Sequence, residues 1–160
     1  MSELEKVNES LSKDSEAINV AVKFWGDFLR GKKPTRFFNK LYEKGKKPLG
    51  AMNAEWQREK LGNFDGNTVK VFEAKLAEYL VNPDTCIDKI MVVNTPDSII
   101  STALIGAGIK VCNYILPWMT EMEFRVRDDM LTIVVACGRR SSYVPIYSQD
   151  PNYAMLMWEK

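Results

Sequence analysis

Cysteine is the residue type in this chain with the most distinctive chemistry, and it occurs at Cys86, Cys112 and Cys137. No CxxC motif is present, which leaves both a zinc site and a thioredoxin-like site unsupported. The absence of His excludes a Ser–His–Asp triad, a Cys–His pair and an HExxH zinc site. Each Cys lies in an apolar stretch, so we expect free thiols packed as small hydrophobes in a reducing, cytoplasmic compartment.

A second chemical feature is a basic segment over residues 30–47, which holds eight Lys and Arg, one acid (Glu43) and three interleaved aromatic residues. Such a segment could face phosphate or nucleic acid, because clustered cations release counterions from a polyanion. The alternative is a solvated surface whose aromatic rings face inward. The net charge of the chain is only +1, which favours the solvated surface.

Composition is typical of a globular domain, with 46% hydrophobic and 27% charged residues in a chain of 160. This length favours one domain. Residues 1–15 are polar, carry no signal-peptide pattern and are expected to be flexible, so the domain is expected to span 16–160. The longest apolar region, Ile99 to Leu116, is interrupted by Gly and Lys, and we expect no membrane span.

The elements that must position these residues begin with helices. Apolar residues recur at helical spacing from Glu16 to Leu29, and Gly31 is a plausible stop. Thr68 to Leu80 predicts another helix, with Asn67 as a candidate cap. Strands are predicted over 87–93 and 110–116, while 96–108 could be a short helix or a turn.

The clearest local signal is a β-hairpin over Glu121 to Cys137. Apolar and charged residues alternate up to Arg127, Asp128-Asp129 form the turn, and a buried type of strand follows. Residues 141–152 are expected to form a loop. Helices first and strands second predict a single α+β (mixed α/β) domain.

Several segments together resemble the thymidylate synthase family, especially its phage-type deoxycytidylate hydroxymethylase branch. The similar segments span about residues 48–157: 49–60 (LGAMNAEWQREK), 72–80 (FEAKLAEYL), Asn82-Pro83-Asp84, the hairpin 124–131 (FRVRDDML) and Arg140-Ser141. The resemblance implies a thymidylate synthase-like sheet with N-terminal helices. It also implies an enzyme that attacks a pyrimidine nucleotide with a Cys thiolate and takes a one-carbon unit from a folate.

The resemblance also shows which family residues this chain lacks. The position that corresponds to the family nucleophile holds Trp118, which has no nucleophilic group. The paired arginines that hold phosphate in the family are replaced by Cys86 and Ile87, which cannot form a guanidinium clamp. After the hairpin, Arg140-Ser141 matches the family motif, but its Asp is lost. In the following loop, Asp150 or Asn152 would read the base edge, unless both serve the turn itself.

A similar scaffold with lost reactive residues predicts a catalytically degenerate member of the family, phage-encoded if the resemblance to that branch holds, which acts in binding or assembly. Its expected partners are a second copy of itself or another protein, with Trp118 and Trp158 as interface anchors. A pyrimidine nucleotide is the candidate ligand, held by Arg139, Arg140, Ser141 and Asp150. No cofactor or metal is expected, and the location would be the host cytoplasm or the virion.

Two alternatives remain open at this stage. One is an active C5-modifying transferase that uses folate and a rearranged nucleophile, Cys137 or Cys112, with Arg139 and Arg140 holding phosphate. Nearby cations lower a thiol pKa, and this makes Cys137 the better nucleophile of the two. The other alternative is a small nucleic-acid-associated protein that binds through the basic segment 30–47.

Overall fold

The structure is a computed structural model that describes residues 2–31, 64–82, 84, 88–91, 98–110, 116, 120–137 and 143–152. Its elements follow the order α1 (Glu3–Lys13), α2 (Ser15–Leu29), α3 (Gly66–Val81), β1 (Lys89–Met91), α4 (Ile99–Gly106), β2 (Thr120–Arg127), β3 (Met130–Cys137) and β4 (Val144–Ser148). The predicted α+β class is confirmed, with the helices gathered on an antiparallel sheet.

The N-terminal residues form a packed helix, α1, where the polar composition predicted a flexible segment. Ser2 caps the helix by accepting a hydrogen bond from the amide of Glu5 at 3.2 Å. Val7 and Leu11, one turn apart on the same face, are completely buried in the common core. Burial of these two side chains stabilises a segment whose average hydropathy is low, because a helix needs only one apolar stripe to dock.

Helix α2 confirms the predicted helix over 16–29. It begins after Asp14, whose carboxylate accepts from the amide of Ala17 at 3.0 Å. It ends at Leu29, and two residues later Gly31 has a φ of +77°, in the left-handed region that glycine occupies without strain. Its buried face is aromatic, since Phe24 and Phe28 pack edge-on, with ring centroids 5.3 Å apart.

Helix α3 confirms the predicted helix over 68–80, with a different start. The cap position is Asp65 rather than Asn67, and the helix runs from Gly66. The predicted apolar face is buried as a set: Val69, Phe72, Leu76 and Leu80. Residues 96–108, which the sequence left open between helix and turn, contain helix α4, capped by Ser98 through the amide of Ser101 at 3.1 Å.

The sheet has four antiparallel strands in the order β1-β2-β3-β4. The predicted hairpin is confirmed, since β2 pairs with β3 from Thr120 opposite Cys137 to Arg127 opposite Met130. Its turn holds Asp128 and Asp129 at φ values of 51° and 60°, as a two-residue hairpin turn requires. Strand β4 lies inside residues 141–152, where a loop was expected.

The two faces of the sheet have different environments. The inner face carries apolar side chains into the core against the helices: Ile90, Met122, Phe124, Leu131, Ile133 and Val135. The outer face carries Thr132 and Val134 of β3, and the charged and polar residues of the neighbouring strands surround them: Lys89, Glu121, Glu123, Arg125 and Ser148. Among the helices of the described residues, none has both the length and the apolar character that crossing a bilayer requires.

Candidate functional site

Most of the residues predicted to form a site lie outside the described residues: Cys112, Trp118, Arg139, Arg140, Ser141 and Trp158. Cys137 is the last residue of β3, opposite Thr120, and its backbone alone is described. Only Arg30 and Gly31 of the basic segment are described. Arg30 forms ion pairs inside the molecule, with Asp27 at 3.3 Å and with Glu73. Of the predicted ligand-binding residues, Asp150 is described with its surroundings.

Asp150 lines an open groove on the outer face of the sheet, with a volume of about 300 Å³. The other lining residues come from the hairpin: Arg125, Arg127, Asp128, Met130, Thr132 and Val134. Hairpin pairing explains this arrangement, because Arg125 lies directly opposite Thr132 and Arg127 opposite Met130. Residues two positions apart on a strand share one face, so both arginines line the same groove. We call it the arginine groove.

The two arginines differ in how they are held. The Arg125 guanidinium donates to Glu123 at 3.0 Å and lies 4.7 Å from the centre of the Tyr143 ring. Arg127 is exposed, and within the part of the chain that the structure describes it forms no ion pair. Arg125 is therefore oriented by its neighbours, while no ion pair orients Arg127 among the described residues.

A charged network on the outer face borders the arginine groove. Burial acts to raise the pKa of Glu123, but the hydrogen bond and the charge of Arg125 outweigh it, and the pKa is lowered. Burial and the neighbouring Glu121 carboxylate raise the pKa of Tyr143 to about 12. Lys89 lies 3.3 Å from Glu121 and pairs with it. Glu123 therefore stays ionised and Tyr143 stays protonated at neutral pH.

Hydrogen bonds of two hydroxyl groups, on Thr132 and Ser148, connect the strands on the side of the arginine groove that carries Asp150. Thr132 Oγ1 and Ser148 Oγ are 2.9 Å apart, which joins β3 to β4. Ser148 Oγ also accepts from the amide of Asp150 at 3.1 Å. One carboxylate oxygen of Asp150 accepts from the amide of Asn152 at 3.0 Å, a bond typical of an Asp in a turn. This bond occupies one of the acceptor positions of the Asp150 carboxylate.

A second polar cluster lies at the end of β4, on the side of the sheet that faces the helices. The Asp14 carboxylate accepts from the amide of Ala17 at 3.0 Å, from Gln149 Nε2 at 2.8 Å and from the Tyr147 hydroxyl. Burial acts to raise the pKa of Asp14, and these hydrogen bonds together lower it. Burial and the Asp14 carboxylate raise the pKa of Tyr147. We call Asp14, Tyr147 and Gln149 the corner cluster.

A larger open groove of about 580 Å³ lies between α1 and the hairpin. Its lining mixes both signs of charge: Lys6, Glu9, Ser10, Lys13, Asp14, Val126, Asp129 and Gln149. Lys13 is paired with Glu9 at 2.8 Å, which leaves an array with no dominant sign. The groove therefore favours no particular class of ligand.

Sequence reasoning missed the arginine groove and the corner cluster, although a signal for each was present. Alternation along β2 places Arg125 and Arg127 on one face, and the hairpin register brings Thr132 opposite them. Asp14 directly precedes a helical pattern, as an N-cap residue does. No sequence signal brings Tyr147 to Asp14, because the two residues are joined only by tertiary packing.

The part of the chain that the structure describes contains no group of three or more His, Cys, Asp or Glu side chains that could hold a metal ion. Comparison of the chain with protein-family models, with curated proteins and with solved structures returned no match.

Proposed function

We propose that this chain is a binding protein, a catalytically degenerate relative of the thymidylate synthase and deoxycytidylate hydroxymethylase family that binds a small anionic ligand in the arginine groove. A pyrimidine nucleotide is the first candidate. The observation that carries the proposal is the presence of two arginines and Asp150 in one groove. Arginine is the side chain best suited to phosphate, because its planar guanidinium donates two parallel hydrogen bonds.

The size of the groove supports a ligand no larger than a mononucleotide. Small-molecule sites have volumes of about 300–1,000 Å³, and the arginine groove, at about 300 Å³, stands at the lower end. A folate together with a nucleotide would need more room than this. The groove is therefore suited to holding one compact ligand rather than to bringing two reactants together.

The charges of the groove also favour a ligand with two kinds of polar group. Arg127 offers donors to an anion, and Arg125 adds positive charge while its Nε and Nη2 donate to Glu123 at 3.0 and 3.4 Å. Asp128 and Asp150 offer acceptors to hydrogen-bond donors. A phosphorylated nucleoside carries both kinds of group. Inorganic phosphate would lack the base and sugar donors that could reach Asp128 and Asp150.

Isothermal titration calorimetry with dCMP, dUMP and hydroxymethyl-dCMP tests the proposal. We expect a dissociation constant in the millimolar range or tighter for at least one of them. Arg127→Ala should weaken it by about tenfold or more, since a hydrogen bond to a charged group contributes about 1.5–3 kcal/mol. Arg127→Lys should recover only part of the loss, because an ammonium cannot bind phosphate in a bidentate way.

Lys23→Ala is the matched control, because it removes one exposed cation from α2, outside the groove. Binding that Lys23→Ala and Arg127→Ala weaken equally would indicate general charge attraction and would contradict a site in the groove. Absence of heat with all three nucleotides would reject the nucleotide and leave a protein partner. An adduct with a 5-fluoropyrimidine nucleotide and folate, detected by intact mass, would instead establish the active-enzyme alternative.

Assembly is the other part of the proposed role. The predicted interface anchors Trp118 and Trp158 lie outside the described residues, so homo-oligomerisation stays a prediction. The prediction that the basic segment 30–47 contacts nucleic acid also stays untested over most of its length. Arg30 does not contribute to such a surface, because Asp27 and Glu73 hold its guanidinium.

A further inference from the structure

The end of β4 directs alternate side chains to the two sides of the sheet. Tyr147 and Gln149 reach Asp14 on the helical side. Ser148 and Asp150 lie on the outer side, where Ser148 bonds Thr132 and Asp150 lines the arginine groove. The same four residues therefore contact both the N-terminal helices and the wall of the proposed ligand site.

Gln149 continues the pairing of β4 with β3 by one further step. Its amide donates to the carbonyl of Leu131 at 2.8 Å, and its side-chain Oε1 accepts from the amide of Leu131 at 2.8 Å. The side-chain carboxamide thus takes the place of a backbone carbonyl. Both bonds require one orientation of the carboxamide, with its oxygen toward Leu131 and its nitrogen toward Asp14.

The charge of Asp14 enforces that orientation. An ionised carboxylate only accepts hydrogen bonds, so the Gln149 nitrogen must face it and the Gln149 oxygen must face Leu131. The Tyr147 hydroxyl donates to the same carboxylate and holds it in place. Asp14 also caps α2 through Ala17, and this fixes the carboxylate to the start of a buried helix.

We propose that Asp14 is a positioning residue for the arginine groove: through Gln149 it fixes the end of β4 and so sets where Asp150 stands in the groove wall. The proposal rests on the proposed function, because it concerns the same groove, and it extends that function to the N-terminal helices. Coupling between two sites is reciprocal. A ligand that contacts Asp150 therefore also stabilises the docking of α1 and α2 on the sheet.

Asp14→Asn tests the coupling with little change to the helix start, because Asn caps helices about as well as Asp. The new side chain carries an amide nitrogen that can donate, so it no longer dictates the orientation of Gln149. Residue-resolved amide hydrogen exchange, measured by NMR on the full chain without ligand, is the first readout. We expect exchange at Leu131 and Gln149 to accelerate by about tenfold, the loss of about one hydrogen bond to a charged group.

Ser98→Ala is the matched control, since it removes the cap of α4, a helix with no contact to the corner cluster among the bonds described. It should lower overall stability and leave the exchange of Leu131 and Gln149 unchanged relative to other core amides. A merely structural role for Asp14 would give both variants the same uniform acceleration. Equal effects of the two variants, or no acceleration in Asp14→Asn, would overturn the proposal.

The second readout is the dissociation constant of dCMP, which should weaken by about threefold to tenfold in Asp14→Asn and stay unchanged in Ser98→Ala. If dCMP does not bind the unmodified protein, the proposed nucleotide ligand fails, while the exchange data still decide whether Asp14 fixes the groove wall. If dCMP binds both Asp14→Asn and the unmodified protein equally well, the positioning role is contradicted and the proposed function stands.

Discussion

Arg125 and Arg127 stand two positions apart on β2 with the same charge, yet their surroundings give them different roles. Glu123 and the Tyr143 ring hold Arg125, so its guanidinium has lost much of its freedom before any ligand arrives. Arg127 is exposed and must pay the entropy of ordering its side chain on binding. If the groove binds an anion as proposed, we expect Arg125 to be in place beforehand and Arg127 to become ordered on binding.

The Asp14 carboxylate makes stability depend on pH in a defined direction. Its pKa is lowered from the ordinary value of 3.8, so its contribution is complete above that value and disappears as the pH falls through the folded-state pKa. We expect Asp14→Asn to cost about 1–2 kcal/mol at neutral pH, for the weakened bonds from Tyr147 and Gln149. The cost should shrink as the pH falls below 3.8 and through the lowered folded-state pKa of Asp14.

Urea unfolding of both proteins between about pH 7 and pH 3 measures this difference. Other carboxyl groups such as Glu123 also have a lowered pKa, and subtracting the variant from the unmodified protein removes their contribution. A difference in stability that stays constant with pH would show that the charge of Asp14 contributes nothing and that only its cap does.

At the scale of elements, the side chain of Glu73 on α3 lies close against Gly26 of α2. A Cβ at this position would stand 2.8 Å from the Glu73 carboxyl carbon, nearer than packed atoms normally lie. Glu73 is held there by its ion pair with Arg30. The glycine thus lets α3 place a carboxylate against α2, at the usual cost of glycine inside a helix, about 1 kcal/mol.

This arrangement predicts that the effect of Gly26→Ala changes sign with the residue at position 73. In the unmodified protein the substitution should lower stability by about 1 kcal/mol, because Glu73 must move away from Arg30. In Glu73→Ala it should raise stability by up to about 1 kcal/mol through better helix propensity. The four proteins to compare are the unmodified protein, Gly26→Ala, Glu73→Ala and the double variant. Thermal and urea unfolding of these four give the coupling energy between positions 26 and 73.

Gly106→Ala is the matched control, since its Cβ would meet Lys75 at 3.4 Å, an ordinary contact. Its effect should be the same with Glu or Ala at position 73. An unchanged sign of Gly26→Ala across the cycle would mean that Glu73 moves freely, and would contradict a helix contact set by the ion pair.

At the scale of the whole molecule, one core joins the helices to the sheet, and α3 contributes its entire apolar face to it. Leu76 is completely buried, while Val71 on the same helix is 44% exposed. We expect Leu76→Ala to destabilise the protein by about 2–5 kcal/mol, from lost burial and the cavity left behind. Val71→Ala should change stability by no more than about 0.5 kcal/mol.

Urea unfolding measures the stability of both variants. A shift of the midpoint with an unchanged slope reports a change in the free energy of unfolding. Replacing the β-branched Val71 by Ala also improves helix propensity by a few tenths of a kcal/mol, which is small beside the loss expected for Leu76→Ala. Comparable losses from both substitutions would contradict the orientation of α3, because Val71 would then have to be buried as well.

The sequence by itself determined the elements whose stability comes from local pattern. Helices α2 and α3 and the hairpin were readable because apolar residues recur every three to four positions in a helix and every two in a strand. Alternation also fixed which hairpin residues share a face, so the pairing of Arg125 with Thr132 was implicit in the sequence. The start of α3 at Gly66 was misjudged by two residues because Asp65, not Asn67, occupies the cap position.

Only the tertiary structure decided the ordering of the N-terminus, the presence of β4 and the composition of the two polar sites. Helix α1 is ordered because Val7 and Leu11 find a core made by residues far along the chain. Strand β4 exists because β3 offers it an unpaired edge, which no local pattern in residues 144–148 announces. Asp14 meets Tyr147 and Gln149 across more than a hundred residues, and such contacts follow from packing of the whole chain rather than from any local spacing.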